Sequence, residues 1–575
     1  MGSTYPPQGT TTRLTAADED ASAKAAGENV AKQAFHEWPN EAGFDGLTEH
    51  RGPIELKVKG NIPTWAAGSL YRTGPGQCKV EDTKSGTVHI SHWFDGLAHT
   101  HRFDIVSEGP TVRVYYSSRR QSDKATADIK AAGTLRSISF GQKIDPCVGL
   151  LGKFMSVFHK RPDLYNVNVT VNVNSPIFKS PAKTAADVQG HRVTSIVLAT
   201  DAAVMCEIDP KTMDPLNFPK HCKLHPDLKG PLGAAHGKLD PETGDYINYN
   251  LDLGKQPMYR IFRVSAATGK TDILATILFK AAYIHSFFLT QNYIVLCVPV
   301  AYYKWNGLKI LLEGNLLDSF KCFDPSDTCR WFVVDRRHGR GVVAEFASPA
   351  RFFFHSVNAF EEVSTGDILC DVIDYPNRYI IDGAYYDVLL NRNGKTAAFW
   401  TGQQTHQSFP QLSRYRLPKQ AFTTSPQVKL LPSSPQIVMQ IPSPHAGDMP
   451  TINPLYRCRR HRYAYMLVSR GLSTLFDAIA KMDVDRREVL RWEGPRGHTP
   501  GEAVFVPRPR TEDNGDEVRE EEEEDDGVLL SIVLDGENRT SYLLCLDART
   551  MTELGSADCE FAVAVGLHGR HVTVE

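Results

Sequence analysis

Four histidines, His236, His285, His355 and His568, each lie in a short apolar or small-residue setting, far apart in the chain, with no cysteine or carboxylate ligand motif beside them. Their surroundings read GAAHGKLDP, YIHSFF, FFFHSVNAFEE and GLHG, and each has the character of a strand end or a tight turn. Neutral imidazole is a good ligand for Fe(II). Convergence of the four would make a non-haem iron oxygenase site assembled from separate strands. The chain has 20 histidines, so the choice needs independent support. A metal-bound imidazole usually donates its other N–H to a carboxylate, which fixes its tautomer and orientation. Asp201 in VLATDAA, Asp448 in GDMPTINP and Glu502 in GEAVFVPRP are candidates for that task, because carboxylates in such strand-rich settings are costly to bury unpaired. A rival pair, His99 and His101 in LAHTHRF, shares one face of a strand but lacks a third ligand nearby and reads as structural.

Positioning such residues requires many strands. From about Gly46, short runs rich in Val, Ile, Tyr, Phe and Thr alternate with Gly, Pro, Asn and Asp clusters. The runs Thr111 to Tyr116, Thr194 to Ala199, Tyr246 to Leu251, Tyr293 to Val298, Trp331 to Val334 and Val528 to Val533 are expected strands, which makes the chain all-β. Asp209-Pro-Lys-Thr-Met and Asp240-Pro-Glu-Thr-Gly read as turns between them. Residues 1–45, with little apolar surface, are expected to be a flexible tail, and 46–575 a single domain. The segment 511–526 reads TEDNGDEVREEEEEDD and is expected to be a solvated surface loop, because a block of like charge repels itself.

A chain of 575 residues can bury a large core. Its formal net charge of -3 argues against nucleic acid and leaves a small molecule as the expected partner. The 11 cysteines have no regular spacing and no apolar signal-like stretch opens the chain, so a reducing, cytoplasmic setting is expected. No apolar run is long enough to span a bilayer, which leaves attachment to one membrane face open.

The blocks LYRTGPG (Leu70 to Gly76), HWFDG (His92 to Gly96), HRFD (His101 to Asp104), AHGKLDP, IHSFFLT, FFHSVNAFEE, DVIDYP (Asp371 to Pro376), EAVFVPRP and GLHG occur in that order between Gly52 and Val574. In this the chain resembles the carotenoid cleavage oxygenase family, whose members cleave polyenes or, in the pigment epithelium, isomerise retinoids. The resemblance implies a seven-bladed β-propeller capped by loops and short helices, with one Fe(II) on its axis held by His236, His285, His355 and His568. It also implies O2 and a lipophilic carotenoid as reactants, a conjugated double bond cleaved to two carbonyl products, and no side-chain acid or base. The family's imidazole-orienting glutamates fall on Asp201, Asp448 and Glu502. Two of the three are thus shortened by a methylene, and must approach their histidines more closely or act through water.

The pattern HWFDGLAHTHRF further resembles the fungal torulene-cleaving branch, which implies conversion of torulene to β-apo-4'-carotenal in neurosporaxanthin biosynthesis. Retinal-forming cleavage of β-carotene and stilbene cleavage are alternatives at the same site. A redox-neutral isomerohydrolase and a non-catalytic binding propeller are alternatives of another class. Two stretches carry apolar residues with a basic margin, as peripheral membrane docking needs: Asp145 to Phe158 followed by His159, Lys160 and Arg161, and Ala301 to Phe323.

Overall fold

The computed structural model describes residues 12–143, 165–177, 193–402, 405–422, 434–509 and 523–573. All six expected strands form, and the Asp-Pro turns work as their chemistry requires. Asp209 accepts hydrogen bonds from the backbone N–H of Lys211 and Thr212, each at 2.8 Å, and closes the chain between Met205–Ile208 and Pro215–Asn217. Asp240 does the same with the Glu242 N–H at 3.0 Å before Tyr246–Asp252.

Strands that follow one another in sequence pair antiparallel, giving five separate sheets of four or five strands each. One runs from Lys238–Leu239 through Tyr246–Asp252 and Met258–Val264 to Thr271–Leu278. The next begins at Phe288–Leu289, another at Phe352–Glu361 and another at Asp448–Thr451. Their central strands are buried on both faces, as in Tyr293–Val298 and Ile368–Tyr375, and therefore read as unbroken apolar runs rather than alternating ones.

The expectation of seven blades is corrected. Five discrete blades are present, and the remaining strands form one continuous ten-stranded sheet plus the two-stranded ribbon Lys79–Thr83 with Gly86–His89. The cause lies in Ile54–Gly60, which is shared end to end between two partners. Its first three residues, Ile54 to Leu56, pair with Thr111–Arg120 and its last four, Lys57 to Gly60, with Glu553–Cys559, so strands from the two ends of the chain share a sheet.

Two further expectations change. Residues 14–45 are not a loose tail: Thr15 and Asp18 form a reciprocal cap on the helix Ala16–Ala31, and Phe35, Trp38 and Phe44 are buried. The Trp38 indole N–H donates to Thr499 at 2.9 Å. A few well-placed large apolar residues suffice to dock a segment whose average composition is polar. The end of the acidic block is likewise not solvated. Glu524 is buried and accepts the backbone N–H groups of Arg462 and Tyr463 at 2.8 and 2.9 Å, and Asp525 is ion-paired to Lys481. Most of the segment 511–526 lies outside the described residues.

Candidate metal centre

The blades bring the four histidines together. One ring nitrogen from each of His236, His285, His355 and His568 lies within 4.8 Å of all the others. Their ring centroids are 4.4 to 5.1 Å apart in the five closest pairs, with planes between 61° and 87° to one another. His355 sits on Phe352–Glu361, while His236, His285 and His568 lie just before Lys238–Leu239, Phe288–Leu289 and Gly569–Thr573. All four are thus held at the inner edge of a sheet. The backbone N–H of His236 donates to the carbonyl of His285 at 3.3 Å, tying two of these segments together.

Each of the three carboxylates reaches an imidazole directly. Asp201 accepts from His285 Nδ1 at 2.9 Å, Asp448 from His355 Nδ1 at 2.6 Å and Glu502 from His568 Nδ1 at 2.8 Å. The missing methylene at Asp201 and Asp448 is made up by close approach, with no water needed. With Nδ1 as the donor, Nε2 of these rings carries a free lone pair. Burial acts to raise the carboxyl pKa of Asp448 and Glu502, and the imidazole N–H groups of His355 and His568 outweigh it, so both stay ionised. Burial also holds His355 down to about 4 against the pull of Asp448, and drives His236 well below its ordinary value, leaving both imidazoles neutral at neutral pH.

This geometry fits a metal cation. His355 Nε2 and His568 Nε2 face each other at 3.1 Å although both are acceptors once Nδ1 is committed, and His236 Nε2 is buried with no hydrogen-bond partner among the described residues. Converging lone pairs repel unless a cation lies among them, and neutral imidazole nitrogens suit a divalent transition metal.

Several supporting residues were not singled out from the sequence. The Tyr283 hydroxyl donates to Asp201 at 2.8 Å and the Tyr375 hydroxyl to Asp448 at 2.5 Å, so each shortened carboxylate has a phenol behind it. Tyr283 lies two residues from His285, and Tyr375 within DVIDYP; those positions were the available signals. Arg72 of LYRTGPG is fully enclosed and donates to the carbonyls of Glu502, Val565 and Leu567, each at 3.1 Å, fixing the segment that carries His568. Asp95 of HWFDG accepts the N–H groups of Phe140 and Gly141 at 2.5 and 2.7 Å and shapes a wall of the cavity. The rings of His99 and His101 lie 4.4 Å apart, tilted by 40°, and His101 contacts the Tyr116 hydroxyl at 2.8 Å; both are buried apart from the cluster.

A cavity of about 710 Å³ ends on His285, His355 and His568. Its walls are largely apolar, with Phe94, Phe140, Val204, Leu253, Phe354 and Leu475 among them. Such a space takes a lipophilic ligand and excludes water from the histidines. Leu308 and Leu311 line it and are 49% and 47% exposed, and neighbouring Trp305 is 63% exposed. The rest of Ala301 to Phe323 is mostly core, with Tyr302, Tyr303 and Ile310 buried. The other apolar stretch, Asp145 to Phe158 with His159 to Arg161, lies outside the described residues. Among the described residues no helix is long and apolar enough to cross a membrane.

The chain can now be set beside known proteins. The family model described as retinal pigment epithelial membrane protein matches residues 43–573. The chain is 47% identical over 599 residues to a carotenoid dioxygenase of Neurospora crassa, covering 98% of this chain and 96% of that one. It is 47% identical over 563 residues to a torulene dioxygenase of Fusarium fujikuroi, covering 95% of each. In structure it is similar to a cobalt-substituted apocarotenoid oxygenase of Synechocystis, with a TM-score of 0.68 and 21% identity over 94% of this chain and 98% of that one, which supports the fold. By the extent of the family match and of these identities, the chain belongs to the retinal pigment epithelial membrane protein family, a family of carotenoid oxygenases.

Proposed function

We propose that this protein is an Fe(II)-dependent dioxygenase that cleaves a conjugated carbon–carbon double bond of a carotenoid, with torulene as substrate and β-apo-4'-carotenal as product, as a step of neurosporaxanthin biosynthesis. The observation that carries the reading is an apolar cavity that ends on a cluster of four histidines whose ring nitrogens converge. The 47% identity to a torulene dioxygenase over nearly the full length favours torulene over β-carotene, whose dioxygenase from Gallus gallus is 28% identical.

In this reading His236, His285, His355 and His568 hold one iron, and Asp201, Asp448 and Glu502 orient three of the four imidazoles. The iron supplies the activation of dioxygen towards an electron-rich alkene. The protein's own contribution is positional. The cavity walls fix how far the polyene slides, and so which double bond stops beside the histidines. Phe354, which lies in the wall and packs against His285 at 5.6 Å between centroids, presents an aromatic face to a conjugated chain. No proton transfer from a side chain is required at the reacting carbons.

A water-insoluble substrate has to enter from lipid. Trp305, Leu308 and Leu311 form an exposed apolar lip at the cavity, with Lys304 and Lys309 beside it, and this lip is the part that rests on a membrane face. Substrate choice is tested by incubating the purified protein with torulene, β-carotene and resveratrol and identifying the aldehydes by mass. Torulene cleavage exceeding the others supports the reading. Torulene left intact while another substrate is cleaved contradicts it.

A further inference from the structure

A second cavity, of about 530 Å³, lies on the far side of the histidines from the apolar one. The inner segments run on from their histidines into this space: Gly237 and Lys238 follow His236, Ser356 follows His355, and Gly569 and Arg570 follow His568. Its chemistry is the opposite of the first. Lys238, Arg457 and Arg570 all line it.

Among the described residues these cations have almost no protein partners. Lys238 Nζ donates to the Ser356 hydroxyl at 2.9 Å, and among the described residues neither guanidinium takes part in a hydrogen bond or an ion pair. Nearby carboxylates are already committed. Glu502, which also lines the cavity, accepts from His568 and from the Gly569 N–H, and Asp240 is ion-paired to the buried Arg336. Arg457 and Arg570 line the same cavity, so their positive charges share one space with Lys238. Like charges gathered in one cavity without a carboxylate paired to them are costly, and guanidinium groups present paired N–H donors suited to the oxygens of an oxyanion.

We propose that this axial cavity is a binding site for a small oxyanion, held by Arg457 and Arg570 with Lys238 as a third donor. The site is separate from the apolar cavity, so anion and polyene occupy the protein together, and its existence does not depend on which double bond is cleaved. Phosphate and bicarbonate share the required chemistry and differ in shape.

The test is calorimetric titration of the iron-loaded full-length protein with inorganic phosphate, and separately with bicarbonate, at constant ionic strength. Saturable binding of at least one of them is expected, weakened by at least about tenfold in Arg457→Gln and in Arg570→Gln. If a glutamine variant does not fold, Arg457→Lys keeps the charge but loses the fork, and should still bind the anion several-fold more weakly. Thermal unfolding gives a second reading: the anion raises the midpoint of the unsubstituted protein and leaves that of Arg570→Gln unmoved. Failure of both anions to bind the unsubstituted protein overturns the proposal. Equal affinity in the arginine variants overturns it too, because the anion is then on the metal or the surface.

Discussion

The hydroxyl of Tyr283 donates to Asp201 at 2.8 Å and also lies 3.0 Å from Nδ1 of His285, the imidazole that Asp201 holds. Tyr375 and Asp448 repeat the arrangement behind His355. A carboxylate shortened by one methylene has less reach, and the phenol holds it against the imidazole: at Asp448 the two partners take one oxygen each, and at Asp201 the imidazole reaches both oxygens. The Tyr283→Phe and Tyr375→Phe variants should fold normally yet retain iron about tenfold less tightly, as loss of an outer hydrogen bond to a metal ligand does. Iron content after dialysis against a chelator checks this, and unchanged retention in both variants would contradict it.

Removing His236 separates an enzyme from a binding propeller. Among the described residues His236 has no carboxylate partner on its ring, so His236→Ala breaks none of the three imidazole–carboxylate pairs. The variant should lose bound metal and all aldehyde formation while its thermal midpoint changes only modestly. A variant that remains as active as the parent would remove His236 from the site.

Acid stability is tied to a buried ion pair away from the site. Burial alone would raise the pKa of Asp371, but the fork of Arg414 at 2.7 and 2.8 Å and the nearby His461 hold it at about 2. A carboxyl depressed on folding contributes stability above its unfolded value, and that contribution is lost as pH falls through the folded value. Between about pH 4 and pH 2 this group should therefore cost the fold on the order of 2 kcal/mol. Urea midpoints measured across that range should fall more steeply in the parent than in Asp371→Asn, which should already be less stable at pH 7.

The proposed membrane docking should be separable from catalysis. Replacing Trp305, which is exposed beside the cavity and not part of its wall, by Ser should reduce co-sedimentation with phospholipid vesicles by several-fold, since it removes apolar area from the lip. Cleavage of substrate presented in detergent micelles should change much less. Equal losses in both assays would place Trp305 in the fold rather than at the membrane.

The residues at the centre of the site were legible in the sequence because each histidine is embedded in a short, distinctive block. Their carboxylates were harder to see. Asp201, Asp448 and Glu502 lie 84, 93 and 66 residues from the imidazoles they contact, and only the blade arrangement closes those distances. Tyr375 is 73 residues from Asp448, and the direction of a phenol is set by packing that residue type does not encode. The division into sheets was misjudged for a similar reason. Alternation reports which face of Ile54–Gly60 is buried, but not that its two halves pair with different strands. The docked segment 14–45 escaped notice because average composition hides the placement of Phe35, Trp38 and Phe44.

The most direct test of the account joins metal analysis to oxygen dependence. Protein purified with its iron quantified is incubated with torulene under air and under strict anaerobiosis, and the aldehyde is followed by mass. About one iron per chain is predicted, with aldehyde formed in air in proportion to iron and none formed without oxygen. Iron-free protein that still cleaves torulene, or turnover indifferent to oxygen, would contradict it.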